Sequence, residues 1–573
     1  MRESRLAIVC LFLIAACGPH ARHGDDDNNG DGGPPVCPAC TDDKTGVINC
    51  DGTVTQCAPD EGCSGGICMP GCAAAEANHS SVGCDYYAVD MDAAQGPPID
   101  ACYTVFIANT SQANVHPAIE YMGTSIDMSQ FAKIPQGAGT TLQYGAYDPT
   151  AGLAPGQVAI VFLNYALNIG NVTCPVAPAT TTKVQVAGTG RGHAFHLTTD
   201  LPVVAYQMLP YGGGAAAATG ASLLLPTSSW HTSYIAVNAD DATAPPIPIP
   251  MGPSIDFVGM EDGTTVTIKP KVAIIAGGGL PAGAAGTPYT FTVNKGEYVQ
   301  FTQLAPLAGS PVVSDKPIGA FAGHQIMSID RCCGDHGEQM LTPVRALGSE
   351  YVAAPHGDRK QGPDPRIYRI YGAVDGTALE WEPAGLGPAT LNQGDRIEIR
   401  SLDPFVVRSQ DSDHPFSMFT YMSGAGEAGQ GGQGDADFVR LVPPLQYLFH
   451  YVFFTDPTYP FTTLTVVRRK KDGAFAEVSL ECLGTVTGWQ PVGATGEYEI
   501  TWVKLVDSFN AVGGCNNGSH VMDSTAPFGV WVWGWGSETV APPSGPTPTN
   551  TGWVSYGYPA GEGVLPLNDV ILE

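Results

Sequence analysis

The segment from His324 to Glu338 carries more chemically versatile side chains than any other part of the 573-residue sequence. Its imidazoles, carboxylates, guanidinium and adjacent thiols are the following: His324, Asp330, Arg331, Cys332, Cys333, Asp335, His336 and Glu338. Histidine and carboxylate groups are good ligands for a borderline divalent cation. One interpretation is therefore an exported, metal-dependent hydrolase centred on residues 324–338.

The interpretation that we favour for this segment is a binding loop. Cys332 and Cys333 are disulfide candidates, with distant partners such as Cys102 and Cys174. Such disulfides would preorganise the loop, and preorganisation lowers the free-energy cost of binding. The segment has no recognisable counterpart elsewhere in the chain, as expected for a loop that gives specificity to a repeated scaffold. The candidate contact residues are His324, Asp335, His336 and Glu338.

Other patterns that could support catalysis are incomplete. The sequence contains neither a His-Glu-x-x-His zinc motif nor a phosphate-binding loop. Residues 62–66 fit the nucleophile-elbow pattern, but the strand before and the helix after that such a nucleophile needs are not predicted. We therefore predict that the protein is not an enzyme, and we assign no catalytic residue, metal ligand or cofactor.

Three tryptophans, Trp531, Trp533 and Trp535, alternate along one predicted strand and must share a face. A platform that stacks against sugars is one interpretation of this stripe. Trp531 occupies the position of an aromatic residue that recurs through the chain, which favours burial of the whole stripe in the core.

The first residues predict export and lipid anchoring. A basic start precedes an apolar run at residues 6–16, which is too short to span a bilayer and is typical of a secretory signal. Ile14 and two alanines precede Cys17, and this pattern resembles the bacterial lipobox, whose cysteine carries a diacylglycerol. Gly18 in place of Asp favours the outer membrane, by resemblance to Gram-negative lipoproteins. We expect a signal peptide at residues 1–16, a membrane anchor at Cys17 and a position on the cell surface.

Charge and cysteine content narrow the class of protein further. A net charge of -29 argues against nucleic acid as a partner, because that partner requires a basic surface. Of the 16 cysteines, Cys10 leaves with the signal and Cys17 carries the lipid, so an even number remains to form disulfides in an oxidising compartment. We expect an acidic tether at residues 17–36 and a small disulfide-rich module at residues 37–83, whose connectivity is open. Cys482 and Cys515 are predicted to pair, because no other late cysteines exist.

Residues 84–573 show an internal repeat. Short alternating runs rich in Val, Ile, Thr and aromatics are bounded by Gly, Pro and Asp, as in strands and hairpins. A Pro opens an apolar run in each repeat and an aromatic follows four residues later: Pro202 and Tyr206, Pro317 and Phe321, Pro415 and Phe419, Pro527 and Trp531. A second Pro precedes a Tyr by eight residues: Pro226 and Tyr234, Pro343 and Tyr351, Pro443 and Tyr451. The landmarks predict an all-β body of four related units in tandem, sandwich-like or, alternatively, closed like a propeller.

Several longer stretches resemble one known family in combination. They are residues 83–90, 309–318, 332–336 and 555–561. These stretches resemble the IgGFc-binding protein N-terminal domain family over roughly residues 84–573. The resemblance implies a binding module, since the vertebrate member is a secreted mucus-associated protein that binds the Fc part of IgG. Many bacterial relatives look like lipoproteins with a Cys-rich head, and the family implies no catalytic residues.

These observations predict a cell-surface lipoprotein that acts as a binding or adhesion module for an extracellular protein or glycan. Repeated β units, a lipid anchor, disulfides and the absence of a complete catalytic pattern all favour this function. The alternatives are the exported hydrolase centred on residues 324–338 and a purely structural envelope protein.

Overall fold

The structure is a computed structural model that describes residues 37–93, 101–166, 173–212, 218–242, 251–330, 333–359, 364, 366–426, 432–540 and 551–572. The predicted signal peptide, the lipidation site Cys17 and the tether all lie outside these residues, as does Cys332. Within the described part of the chain, no helix is both long enough and apolar enough to cross a membrane.

A small module at the amino-terminal end of the described chain is held by disulfides rather than by a large core. Its elements are β1 (Ala39–Cys40), β2 (Gly46–Ile48), β3 (Val54–Gln56), β4 (Glu61–Ser64), β5 (Ile67–Pro70) and α1 (Gly71–Asn78). The disulfides are Cys37–Cys50, Cys40–Cys63, Cys57–Cys68 and Cys72–Cys84. A domain this small buries too little apolar surface to fold on its core alone. The predicted disulfide-rich module is thus confirmed.

The body is all-β, as predicted, with 5% helix and 49% strand in the protein. Its first unit contains β6 (Gly83–Ala88), β7 (Tyr103–Asn109), β8 (Pro117–Tyr121), β9 (Thr124–Ile126), α2 (Met128–Phe131), β10 (Ala132–Gln136), a 3-10 turn (Gly139–Thr141), β11 (Gln143–Ala146), β12 (Val158–Asn164), β13 (Gly190–His193), β14 (Phe195–Leu209) and β15 (Gly220–Leu223). Strand β13 joins the sheet of the second unit instead of its own.

The second unit contains a 3-10 turn (Thr227–Ser229), β16 (His231–Ile235), β17 (Pro253–Gly259), β18 (Thr264–Ile268), β19 (Tyr289–Val293), β20 (Glu297–Thr302), β21 (Pro311–Met327) and β22 (Asp335–Met340). The third contains a 3-10 turn (Val344–Ala346), β23 (Glu350–Val352), β24 (Ile367–Gly372), β25 (Thr377–Glu382), β26 (Thr390–Leu391), β27 (Arg396–Arg400), β28 (Val406–Ser409), β29 (Phe416–Met422) and β30 (Asp437–Arg440).

The fourth unit contains a 3-10 turn (Pro444–Gln446), β31 (Leu448–Thr455), β32 (Phe461–Arg469), β33 (Val478–Leu480), β34 (Gly484–Thr485), β35 (Gln490–Val492), β36 (Tyr498–Asp507), β37 (Asn510–Ala511), β38 (Gly518–Trp535) and β39 (Ser555–Pro559). In each unit one of the strands β14, β21, β29 and β38 forms the centre of the sheet, pairing with strands on both sides.

The repeated sequence landmarks have the same structural role in every unit. The aromatic four residues after the first Pro is buried on the central strand each time. In the second and fourth units the repeated Tyr fastens the start of the unit to the central strand: the hydroxyl of Tyr234 donates to the Ile318 carbonyl at 2.7 Å, and that of Tyr451 donates to the Phe528 carbonyl. Tyr86 donates in the same way to the Val203 carbonyl at 2.7 Å. Tyr86 is therefore the first-unit counterpart of a residue that the sequence pattern identified only in the later units.

The four units close into a ring. The last strand of each unit, β15, β22, β30 or β39, pairs with the central strand of its own unit and contacts the last strands of both neighbouring units. Four hydrophobic clusters each join one unit to the next, and one of them joins the first unit to the fourth. The carboxyl-terminal chain then returns to residues 79–81, where the Val564 amide donates to the His79 carbonyl at 2.7 Å. The propeller-like alternative therefore describes how the units are arranged.

Candidate functional site

The candidate contact residues of the expected binding loop lie instead on two strands, one of which, β22, belongs to the innermost ring of strands. His324 lies on β21, and Asp335, His336 and Glu338 lie on β22; all four are 0% exposed. Strand β22 pairs with β21 and contacts β15 and β30 on its two sides. The prediction of a loop without counterparts in the other units was wrong, since β15, β30 and β39 are those counterparts.

The carboxylate of Asp335 connects three units at the start of this ring. It accepts a hydrogen bond from the Thr219 amide at 2.5 Å and another from the Ser555 amide at 2.7 Å. The Asp435 amide in turn donates to the Ser555 hydroxyl at 2.8 Å. Burial raises the pKa of Asp335 well above its usual range and that of Asp435 to about 7. We conclude that Asp335 has a structural role at the junction of the units.

Glu338 belongs to a second buried polar network. The side-chain amide of Gln207 donates to Glu338 at 2.6 Å, and the Gln207 carbonyl accepts from Tyr103 at 3.1 Å. Burial raises the pKa of Glu338 well above its usual range, so the protonated form is favoured. Burial also lowers the pKa of His324 to about 3 and that of His336 to about 4, which keeps both imidazoles neutral.

The disulfide pairings predicted for the candidate cysteines are confirmed in one case and wrong in another. Cys482 is bonded to Cys515, the pairing that the sequence predicts. Cys102 is bonded to Cys174, so neither is a partner of the segment at 324–338, contrary to the expectation. Cys333 forms a disulfide, and Cys332 lies outside the described residues. These bonds indicate an oxidising, extracellular environment.

Among the described residues, one group of His, Cys, Asp and Glu has metal-site spacing: Glu481, Cys482 and His520. The sulfur of Cys482 is engaged in its disulfide, so this group is better explained by the ion pair between Glu481 and His520 at 2.7 Å. The residues of the proposed hydrolase centre are not part of such a group.

The tryptophan stripe is buried, which confirms the core interpretation. Trp531, Trp533 and Trp535 are at most 2% exposed and belong to the cluster between the third and fourth units. The indole of Trp531 donates to the Arg440 carbonyl at 3.1 Å. A sugar platform at this stripe is excluded, because no face of these rings reaches solvent.

A surface groove of about 310 Å³ lies in the second unit, beside its contact with the first. Its lining combines two exposed apolar side chains, Ile275 at 57% and Leu304 at 49%, with the polar side chains of Gln303 and Gln325. Large apolar side chains that remain exposed beside a concave surface are typical of ligand and partner contacts. The sequence analysis missed this groove, because Ile275 and Leu304 are separated along the chain and neither lies in a motif.

The loop that carries Ile275 is fastened to the sheet. The Ile275 amide donates to the Gln303 side-chain carbonyl at 3.0 Å, and the Gln303 amide group donates to the Ala273 carbonyl at 3.1 Å. A bridge between Ile274 and Gly283 closes the loop. The two apolar side chains are therefore presented on a fixed platform, which reduces the entropy lost when a partner binds.

The structure is that of a disulfide-bonded, extracellular β protein whose four units close into a ring. It has a surface groove, and its described residues assemble no catalytic group. A family model described as IgGFc binding protein matches residues 220–534, more than half of the chain, and the protein belongs to that family. The match runs from the first residue of β15 into β38 and includes the part of the groove that the second unit supplies, but not Gly188 and Thr189. No curated protein matches the chain. The family is one of binding domains, which makes a protein-binding module the function that the comparison supports.

Proposed function

We propose that the protein is a lipid-anchored, cell-surface module that binds a protein partner through the groove bounded by Ile275 and Leu304. The observation that carries the proposal is the combination of a rigid, concave lining with two exposed apolar side chains, Ile275 and Leu304, both inside the family-matched region. Interfaces commonly place a few apolar anchors at their centre and polar groups at their rim. Thr189, Gln303 and Gln325 are the polar side chains of the lining, and their hydrogen bonds within the protein hold that lining in place.

Glycine backbone on the floor of the groove suits a protein partner. Gly188, Gly252 and Gly277 all line it, and the absence of a side chain lets another main chain approach closely. Exposed apolar area on the partner would be covered by Ile275 and Leu304.

The family description names a first probe, the Fc fragment of IgG. The mature protein would be immobilised and its binding to Fc compared with that of the variant Ile275→Asp/Leu304→Asp. Leu402→Asp is the matched control, because Leu402 is also 57% exposed but lies in the third unit. Binding that the double variant loses at least tenfold and the control retains would support the groove.

If Fc does not bind, the same three proteins would be used for chemical cross-linking to proteins of surfaces that the bacterium meets. A partner captured by the wild type and the control but not by the double variant would support the proposal with a different ligand. Equal capture by all three would show that the groove is not the contact surface. A protein that captures nothing would instead favour the purely structural envelope role.

Anchoring at Cys17 has a separate test. We expect a fatty-acid label to be incorporated into the wild type and not into Cys17→Ser, because only a thiol can form the thioether to diacylglycerol. Partition of the Cys17→Ser protein into detergent like the wild type would show that the anchor is elsewhere or absent.

A further inference from the structure

One register position recurs in all four units and holds a different kind of side chain in each. It lies directly opposite the repeated aromatic of the central strand and is occupied by Phe106, Asp256, Arg369 and Thr465. In each unit this position faces the neighbouring unit across the ring. A charged or polar residue there is removed from water and requires compensation.

In the first unit no compensation is needed, and in the third and fourth units the compensating partners are present. Phe106 is apolar, and the Thr465 hydroxyl donates to the Pro355 carbonyl at 2.7 Å. The Arg369 guanidinium pairs with Asp240 at 2.6 Å and with Glu398 at 3.1 Å. The buried cation of the third unit is therefore neutralised by two carboxylates.

Asp256 of the second unit has no such compensating partner among the described residues. It is 0% exposed, and neither carboxylate oxygen has a hydrogen-bond partner among the described residues. Burial, and then the charge of neighbouring Asp92, raise the pKa of Asp256 well above its usual range. Two carboxyl groups are thus close together in the interior, and the nearby basic side chain of Lys183 acts on Asp92 but not on Asp256.

Further oxygen atoms surround this pair. Asp256 lies directly opposite Gln300 on the paired strands β17 and β20, and Ser254 lies directly opposite Thr302 on the same face. Opposite residues in an antiparallel pair have Cβ atoms about 5 Å apart. The side-chain carbonyl of Gln300 and the hydroxyl of Ser254 are buried and have no hydrogen-bond partner in the described part of the chain.

Asp92 reaches this face from the first unit. Its carboxylate accepts from the Gly188 amide at 2.9 Å and from the Gln325 side chain at 3.1 Å. Gln300 contacts the same Gly188, donating to its carbonyl at 2.6 Å. Gly323 sits opposite Ser254, and a Cβ built there would lie 2.6 Å from both the Ser254 hydroxyl and the terminal carbon of Met91. The segment containing Asp92 therefore packs directly on the oxygen-rich face.

We propose that Asp92 and Asp256, with the Gln300 carbonyl and the Ser254 hydroxyl, bind a calcium ion between the first and second units. Calcium prefers oxygen ligands from carboxylates, amide carbonyls and hydroxyls in a flexible arrangement, and this set contains no nitrogen or sulfur ligand. The ion would supply the positive charge that Arg369 supplies at the equivalent position. It would also link two units of the ring.

The groove provides an entry path to this site. Gly188, Gln325 and Thr302 line the groove, and the first two of these also contact Asp92. An ion arriving from solvent would thus meet Asp92 first and Asp256 behind it. The site is independent of what the groove binds, so it stands even if the proposed protein partner is not found.

Calcium itself is the probe for this site. The mature full-length protein would be passed through a desalting column in chelator, then its bound calcium measured after re-equilibration with CaCl2, alongside its Tm with and without the ion. We expect one Ca²⁺ per chain and a higher Tm with calcium, and little response to the same concentration of Mg²⁺. Asp256→Asn and Asp92→Asn should each weaken calcium binding at least tenfold.

Asp437→Asn is the matched control, because Asp437 is also a fully buried carboxyl with an unpartnered oxygen, located in the third unit. It should retain the bound ion and the calcium-dependent Tm. The proposal is overturned if the wild type binds no calcium and has the same Tm in chelator, which would mean that the paired carboxyl groups are kept neutral by protons. It is also overturned if Asp256→Asn and Asp92→Asn bind calcium as the wild type does.

Discussion

The contact between the first and second units and the contact between the third and fourth each contain a hydrophobic cluster, but they differ in polarity at matching register positions. In the fourth unit the central strand presents Trp531 and Trp533 to the third unit, and both indoles are fully buried. At the matching positions of the second unit the central strand presents Phe321 and Gly323, and the neighbouring strand adds the buried Asp256. The scaffold fixes where a side chain points, and the side chain alone decides whether the contact is dry or polar.

The comparison shows how differently the two contacts are stabilised. Apolar burial contributes roughly 25 cal/mol per Å², needs no partner atom and is insensitive to ions. A buried carboxylate destabilises the fold unless a donor or a cation satisfies it. We therefore expect the third–fourth contact to be self-sufficient and the first–second contact to depend on solution conditions.

Trp533→Ala should produce the largest effect. Removing a fully buried indole leaves a cavity between the third and fourth units and should lower the free energy of unfolding by about 3–5 kcal/mol. Denaturant unfolding with and without calcium measures this loss, which should be the same in both conditions. Trp553→Ala is the control, because Trp553 is 41% exposed. If the loss of unfolding free energy in Trp533→Ala depended on calcium, the contact between the third and fourth units would not be independent of the ion.

Protonation of the buried His336 at low pH should destabilise the region where the second unit contacts the first. Burial lowers the pKa of His336 to about 4 in the folded protein, against about 6.5 in an unfolded chain. Between these values only the unfolded state binds a proton at this imidazole, so the contribution of His336 to stability falls as the pH falls from 6.5 to 4, by about 3 kcal/mol in total. Buried carboxyl groups with a raised pKa, such as Asp435, contribute in the opposite direction, so the variant is compared with the wild type at each pH. His336→Gln should lose that part of the pH dependence. An unchanged slope of unfolding free energy against pH would contradict the buried, neutral state of this imidazole.

Asp335→Asn tests the junction of the ring. The amide can accept from only one of the two backbone donors, Thr219 or Ser555, and leaves the other buried without an acceptor. The expected loss is about 1–3 kcal/mol in the free energy of unfolding. Asp413→Asn, an exposed position, should change stability by less than about 0.5 kcal/mol. Equal stability of both variants would show that Asp335 does not hold the units together.

The smallest effect is expected at the groove. Ile275→Asp/Leu304→Asp removes exposed apolar surface and should change the free energy of unfolding by less than about 0.5 kcal/mol for each substitution. A larger loss, measured by denaturant unfolding, would mean that these side chains stabilise the fold. In that case a loss of partner binding in the same variant would no longer locate the contact surface.

Much of the local structure could be read from the sequence because it is determined by neighbours along the chain. Alternating apolar residues bounded by Gly, Pro and Asp predicted the strands and the turns between them. The repeated Pro and aromatic landmarks predicted four units with a buried aromatic in each. The pairing of Cys482 with Cys515 followed from their isolation late in the chain. The lipid anchor at Cys17 remains a prediction.

Only the tertiary structure decided what the polar segment at residues 324–338 does. The two backbone donors that satisfy Asp335 lie 116 and 220 residues away, so no local pattern could distinguish a buried junction from an exposed loop. The role of Asp256 could not be predicted from the sequence either, because it depends on Gln300 on the paired strand and on Asp92 in another unit. Periodicity determines which residues share a face of a strand, but the closure of the ring determines what that face meets.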